Sequence, residues 1–166
     1  MSLGVKQKKT YLNIKDGKIA LKKPNGETAL YDSIEGSLVG ITKLPREFKG
    51  EPVTYWYFDI AEPGGETYSL GLHYNSGVAK AILNSLASAE TLGRIKIETY
   101  LKNEFTKTSV YNNGERLSWK YAELPPLEIL EVGGKIIKDD SKRMRFFEGI
   151  AEEIINKVNP VNKVNN

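Results

Sequence analysis

The chain has 166 residues, which at roughly 100 to 200 residues per domain predicts one compact unit. Its 0 Cys exclude thiol catalysis, thiolate metal sites and a disulfide framework, and predict a reducing, cytoplasmic setting. The net charge is +3, from 24 Lys+Arg against 21 Asp+Glu. No window approaches the roughly 18 consecutive apolar residues of a membrane span, so no membrane partner is expected.

The charge is unevenly placed. Residues 1–23 hold seven Lys and one Asp, net +6; residues 24–134 hold ten basic and fifteen acidic groups, net −5; residues 135–166 hold seven and five, net +2. A basic end can follow a phosphate backbone or an acidic partner surface. Residues 1–10 read as a basic flexible tail, 11–132 as the folded domain, and 133–166 as a C-terminal helix with a frayed Asn-rich end.

Tyr11 to Lys23 alternates around Asp16-Gly17 and predicts a hairpin with a type I′ turn. Pro24-Asn25-Gly26 is a second turn. Ile34 to Leu44 is an apolar strand interrupted by Gly36 and Gly40, which predicts a bent strand at a barrel corner. A loop bounded by Pro45 and Pro52 follows. Val53 to Ile60 and Thr67 to Tyr74 alternate and predict an antiparallel pair across Pro63-Gly64-Gly65. From Ser76, an N-cap, the period becomes helical through Val78, Ala79, Ile82, Leu83 and Leu86 to about Ala89. Strand patterns resume at Gly93 to Leu101 and at Thr106 to Ala122, the latter split by Asn112-Asn113-Gly114. After Leu124-Pro125-Pro126-Leu127 a mixed segment leads to a last helix, Ser141 to Val158, capped by Ser141. Met144, Phe147, Ile150, Ile154 and Ile155 lie on one face of it.

Five strand blocks with a helix between the third and fourth predict a mainly β fold of OB type. This is a five-stranded Greek-key barrel, here with an added N-terminal hairpin and a C-terminal helix. In this element order, in its glycine-bent first strand and in its aromatic second and third strands, residues 34–122 resemble single-stranded DNA-binding proteins, including those of phage replication modules. The resemblance implies non-specific binding of single-stranded DNA, in replication or recombination. The chain departs from such proteins in lacking an acidic C-terminal tail: no acidic side chain follows Glu153.

Strand alternation assigns the faces. Thr54, Trp56, Phe58 and Ile60 face inward with Tyr68, Leu70, Leu72 and Tyr74. Tyr55, Tyr57 and His73 then share the outer face, where stacked bases are worth about 1 to 3 kcal/mol each without sequence preference. Lys43, Arg46, Lys49, Arg94, Lys96, Lys102, Lys107 and Lys120 are the candidate phosphate contacts, with Tyr100 beside them. The partner expected is single-stranded DNA, with RNA left open. Two features oppose this reading: the opening hairpin has to pack somewhere and could cover the tyrosines, and the middle of the chain is acidic.

Enzymatic chemistry finds no footing. His73 is the single histidine and has no nucleophile elbow beside it. Glu62 and Glu66 lack metal-ligand spacing around it, and the glycine doublets open no phosphate-binding helix. No cofactor, metal or catalytic residue is expected. The alternative class is a protein-interaction or assembly module. The terminal helix either docks on its own barrel, the plainer choice, or forms a homodimer face.

Overall fold

The protein's structure, a computed structural model, describes residues 9–158. The readings of residues 1–8 as a tail and of the Asn-rich end as frayed lie outside them. No helix among the described residues is long and apolar enough to cross a membrane. The fold is mainly β. In chain order the elements are β1 (Lys9–Lys15), β2 (Lys18–Lys22), β3 (Thr28–Tyr31), β4 (Ser33–Phe48), β5 (Glu51–Ala61), β6 (Thr67–His73), α1 (Gly77–Leu86), β7 (Ile95–Lys102), β8 (Phe105–Asn112), β9 (Glu115–Arg116), β10 (Glu128–Val132), β11 (Lys135–Asp139) and α2 (Ser141–Val158).

β1 to β9 form one sheet, in the order β3-β2-β1-β6-β5-β4-β7-β8-β9, curled into a half-barrel. The five predicted blocks are β4 to β8, and they lie together as β6-β5-β4-β7-β8. The count of five is corrected to nine. β1 joins the free edge of β6 in parallel, from Lys9 opposite Thr67 to Leu12 opposite Leu70, so β6 is extended by the N-terminal strands and is not paired with β8. Lys9 and Thr10, read as tail, already belong to β1.

The corner strand is β4. Its residues 33–36 pair with β7 and its residues 37–48 with β5, with a register shift between Leu38 and Gly40. Gly36 makes the bend feasible: a Cβ there would lie 2.4 Å from the Ala61 carbonyl oxygen. The segment from Pro45 to Pro52, predicted as a loop, instead continues β4 and opens β5. Both prolines fall where the strand's other edge carries no ladder partner, a position that tolerates a missing N–H.

The inward faces are those predicted. Trp56, Phe58, Ile60, Leu70 and Leu72 join Ile95, Ile97 and Val110 in the core, and α1 adds Ile82, Leu83 and Leu86. Ser76 caps α1 through its hydroxyl, which accepts from the Ala79 N–H at 3.1 Å. α2 packs on α1 and β4 and buries Met144, Phe147, Ile150, Ala151 and Ile154, so its apolar stripe is used within the protein's own core. That arrangement is self-docking; the stripe is not exposed as a dimer face. The cap of α2 is corrected: the Asp139 carboxylate accepts from the Ser141 N–H at 3.0 Å and from its hydroxyl, the role expected of Ser141.

Two further expectations fail. Residues 117–122 do not continue the last strand. Buried Asn84 holds this segment instead, donating to the Tyr121 carbonyl at 2.8 Å and accepting from the Tyr121 N–H at 2.9 Å. The mixed segment after Leu127 is a separate hairpin, β10–β11, and the boundary expected at 132/133 falls inside it.

Candidate functional site

The outer face of β5 and β6 carries Tyr55, Tyr57 and His73, as alternation requires. Tyr55 stands opposite His73, and Tyr57 opposite Gly71. The Tyr55 and His73 rings lie 4.5 Å apart and the Tyr55 hydroxyl meets His73 Nε2 at 3.2 Å, while Tyr55 stacks on Tyr57 at 6.2 Å and 26°. A Cβ at residue 71 would be 2.9 Å from Tyr57 Cε1, so glycine lets the Tyr57 ring lie across β6.

The parallel addition of β1 changes this face. Tyr11 stands opposite Ser69 and sets its ring edge-on to Tyr57, with centroids 5.8 Å apart at 85°. Arg46 donates from Nε to the Tyr57 hydroxyl at 2.7 Å and lies over the same ring at 5.1 Å. Tyr57 is left only 9% exposed, so it supports other rings and offers little surface itself. Tyr11, at 55%, is the open ring. The hydrogen bond to Tyr57 raises the Arg46 pKa above its ordinary value, and the guanidinium is positively charged at any working pH. Further along, Lys9 reaches over the sheet to the buried Asp59 carboxylate at 2.8 Å.

Two hollows lie along this face. One, of about 350 Å³, is lined by Tyr11, Leu12, Asn13, Lys22, Arg46, Tyr55, Tyr57 and Gly71. The other, of about 550 Å³, lies at the barrel rim among Asn13, Ile14, Tyr55, Gly71, Leu72, His73, the start of α1 and Phe105 to Lys107. They share Asn13, Tyr55 and Gly71 and so form one groove. Its walls carry Lys22, Arg46 and Lys107 and no carboxylate. A third hollow, of about 560 Å³, is lined by Glu35 and Glu62 with no basic group and does not suit an anion.

Of the predicted residues, Tyr55, Tyr57, His73, Arg46 and Lys107 therefore meet at the groove. Tyr100 stands opposite Lys107 and Lys102 opposite Phe105, beside the rim without lining it. Lys49, in the β4–β5 turn, lines neither hollow. The others are corrections. Lys43 pairs with Trp56, on the opposite face of the sheet, and is bound to Glu148 of α2. Lys120 is bound to Glu153 of α2. Lys96 lies over the Tyr111 ring at 5.4 Å and stands opposite Glu35, and Arg94 precedes the end of β7 remote from the rim. These four serve helix docking or the far sheet surface.

Tyr11, Asn13, Lys22 and Phe105 were missed. Phe105 is 68% exposed and follows Asn103 and Glu104, both with positive φ (52° and 71°), in a two-residue turn that brings it to the rim. The signal was present in part, since Tyr11 and Asn13 alternate with Leu12 and Ile14 on one hairpin face. Their position beside Gly71 depends on the parallel pairing. Comparison with family models, curated proteins and solved structures gives no match for this chain.

Proposed function

We propose that this protein binds single-stranded nucleic acid, DNA in the first instance, along the groove between β1, β6 and the β7–β8 turn. The carrying observation is the composition of that groove: Tyr11, Tyr55, His73 and Phe105 beside Lys22, Arg46 and Lys107, without a carboxylate. Exposed rings stack on bases of any sequence, and cations beside them neutralise phosphates. The acidic middle of the chain does not line this groove: among its carboxylates, Asp59 is paired with Lys9, and Glu35 and Glu62 line the separate hollow. The strand order β6-β5-β4-β7-β8 around a glycine-bent shared strand supports an OB-type barrel core enlarged by the N-terminal strands.

The test is fluorescence anisotropy of a labelled oligo-dT over a salt series, with a duplex of equal length as competitor. Three groove cations engaging phosphates give a log affinity against log salt slope of about −2, at about 0.7 per contact for single strands. Binding that favours the duplex, or a slope near zero, refutes the reading. The second reading, an interaction module, draws on the exposed apolar hairpin β10–β11 and predicts no oligonucleotide binding even at low salt.

A further inference from the structure

Residues 128–139 stand apart from the large sheet. β10 and β11 pair only with each other, Val132 opposite Lys135 across the Gly133-Gly134 turn and Leu130 opposite Ile137. Ile129, Leu130, Val132, Ile136 and Ile137 are 44% to 75% exposed. A two-stranded hairpin is marginal in water, and an uncovered apolar edge is a template for a further strand.

The two edges differ in charge. β10 carries Glu128 and Glu131 and no cation; β11 carries Lys135, Lys138 and Asp139. Backbone direction adds a second constraint. Val132 and Lys135 flank a two-residue turn, where the flanking pair is hydrogen-bonded, so Lys135, Ile137 and Asp139 turn their N–H and C=O groups toward β10. Those of Ile136 and Lys138 point to the free edge, where no described backbone group meets them.

We propose that β11 pairs antiparallel with β11 of a second copy of this chain, about a two-fold axis at Ile137. In that register Ile136 exchanges both backbone hydrogen bonds with Lys138 of the second copy, and the reverse. Ile137 faces its own counterpart in the close, non-hydrogen-bonded spacing, and Lys135 faces Asp139 of the second copy. No like charges oppose one another. Leu130, Ile137 and their two counterparts then form one apolar row across four strands. The same operation on β10 about Leu130 would set Glu128 opposite Val132 and Glu131 opposite Ile129 of the second copy, with no opposite-charge pair across the seam, whereas β11 gains two. A two-fold contact also closes on itself, so the product is a dimer and not a filament. This inference is independent of nucleic acid and is tested without it.

The experiment is sedimentation velocity of the full chain across the micromolar range, joined to cysteine cross-linking. The native sequence has 0 Cys, so Ile137→Cys introduces a single thiol. Opposed non-hydrogen-bonded Cα atoms lie about 4.5 Å apart, within disulfide reach. A dimer mass is expected, with nearly complete disulfide dimer for Ile137→Cys on mild oxidation and little for Leu130→Cys. Lys135→Glu, which turns two attractive pairs repulsive, raises the dimer dissociation constant roughly 5- to 30-fold. A monomeric mass throughout, species larger than a dimer, or Leu130→Cys cross-linking better than Ile137→Cys overturns the proposal. All three side chains are exposed, and circular dichroism verifies that each variant is folded.

Discussion

Replacing Tyr11 by alanine separates groove function from fold stability. The ring is 55% exposed, and its one aromatic contact is the edge-on approach to Tyr57 at 5.8 Å. An edge-to-face pair is worth about 0.5 to 1.5 kcal/mol, a small part of the roughly 5 to 15 kcal/mol that holds a domain together. For a chain of this length the ring pair alone corresponds to a fall in Tm of roughly 1 to 6 °C, and thermal unfolding verifies that the variant is folded at the assay temperature. A base stacked on the ring contributes about 1 to 3 kcal/mol, so Tyr11→Ala is expected to weaken oligo-dT binding by roughly 5- to 150-fold. The salt slope should stay unchanged, because no cation is lost. The assay is anisotropy titration at fixed salt, with thermal unfolding alongside. Tyr31→Ala is the control, since Tyr31 is also exposed, at 46%, but lines the acidic hollow. Affinity within twofold of the native protein in a folded Tyr11→Ala variant, or an equal loss from Tyr31→Ala, refutes the reasoning.

Two predictions concern the scaffold. Gly36→Ala drives a methyl to 2.4 Å from the Ala61 carbonyl and 2.9 Å from Ile60 Cγ2, so it should cost about 2 kcal/mol or more in urea unfolding. Gly40→Ala, whose Cβ meets only Asp59 at 3.5 Å, should be much milder, and equal midpoints for the two would contradict the corner role of Gly36. The docking of α2 should weaken in acid. Hydrogen bonds from Lys43 to Glu148 and from Lys120 to Glu153 hold both carboxyls below their ordinary pKa of 4.5, so their contribution is present above that value and is lost as pH falls through the depressed folded values. Stability measured by urea unfolding from neutral pH downward should therefore fall more steeply for the native chain than for the Glu148→Gln, Glu153→Gln double variant. Parallel curves would remove these pairs as the cause.

Much of the local structure was legible in the sequence. Asp16-Gly17 gives the expected turn, with both residues at positive φ (51° and 75°). Trp56, Phe58 and Ile60 alternate against Tyr55 and Tyr57, and the helical period yields α1 and α2 close to their observed ends. These features follow from residues within a few positions of one another, because side-chain period and turn chemistry are short-range properties. The functional face was legible as a face, but its working surface was misjudged: Tyr57 lies beneath Tyr11 and Arg46, and Tyr11 is the open ring.

The sequence by itself determined which side chains point inward, where the glycine bend falls, and that two helices complete the core. Only the tertiary structure decided which edges meet. β1 could extend β6 or lie elsewhere with the same alternation, since period two assigns a face and says nothing about a partner strand. That one parallel pairing brings Tyr11, Asn13 and Lys22 to the groove. The docking of α2 likewise pairs Lys43 with Glu148 and Lys120 with Glu153, because opposite charges distant in sequence become neighbours only once the helix is seated.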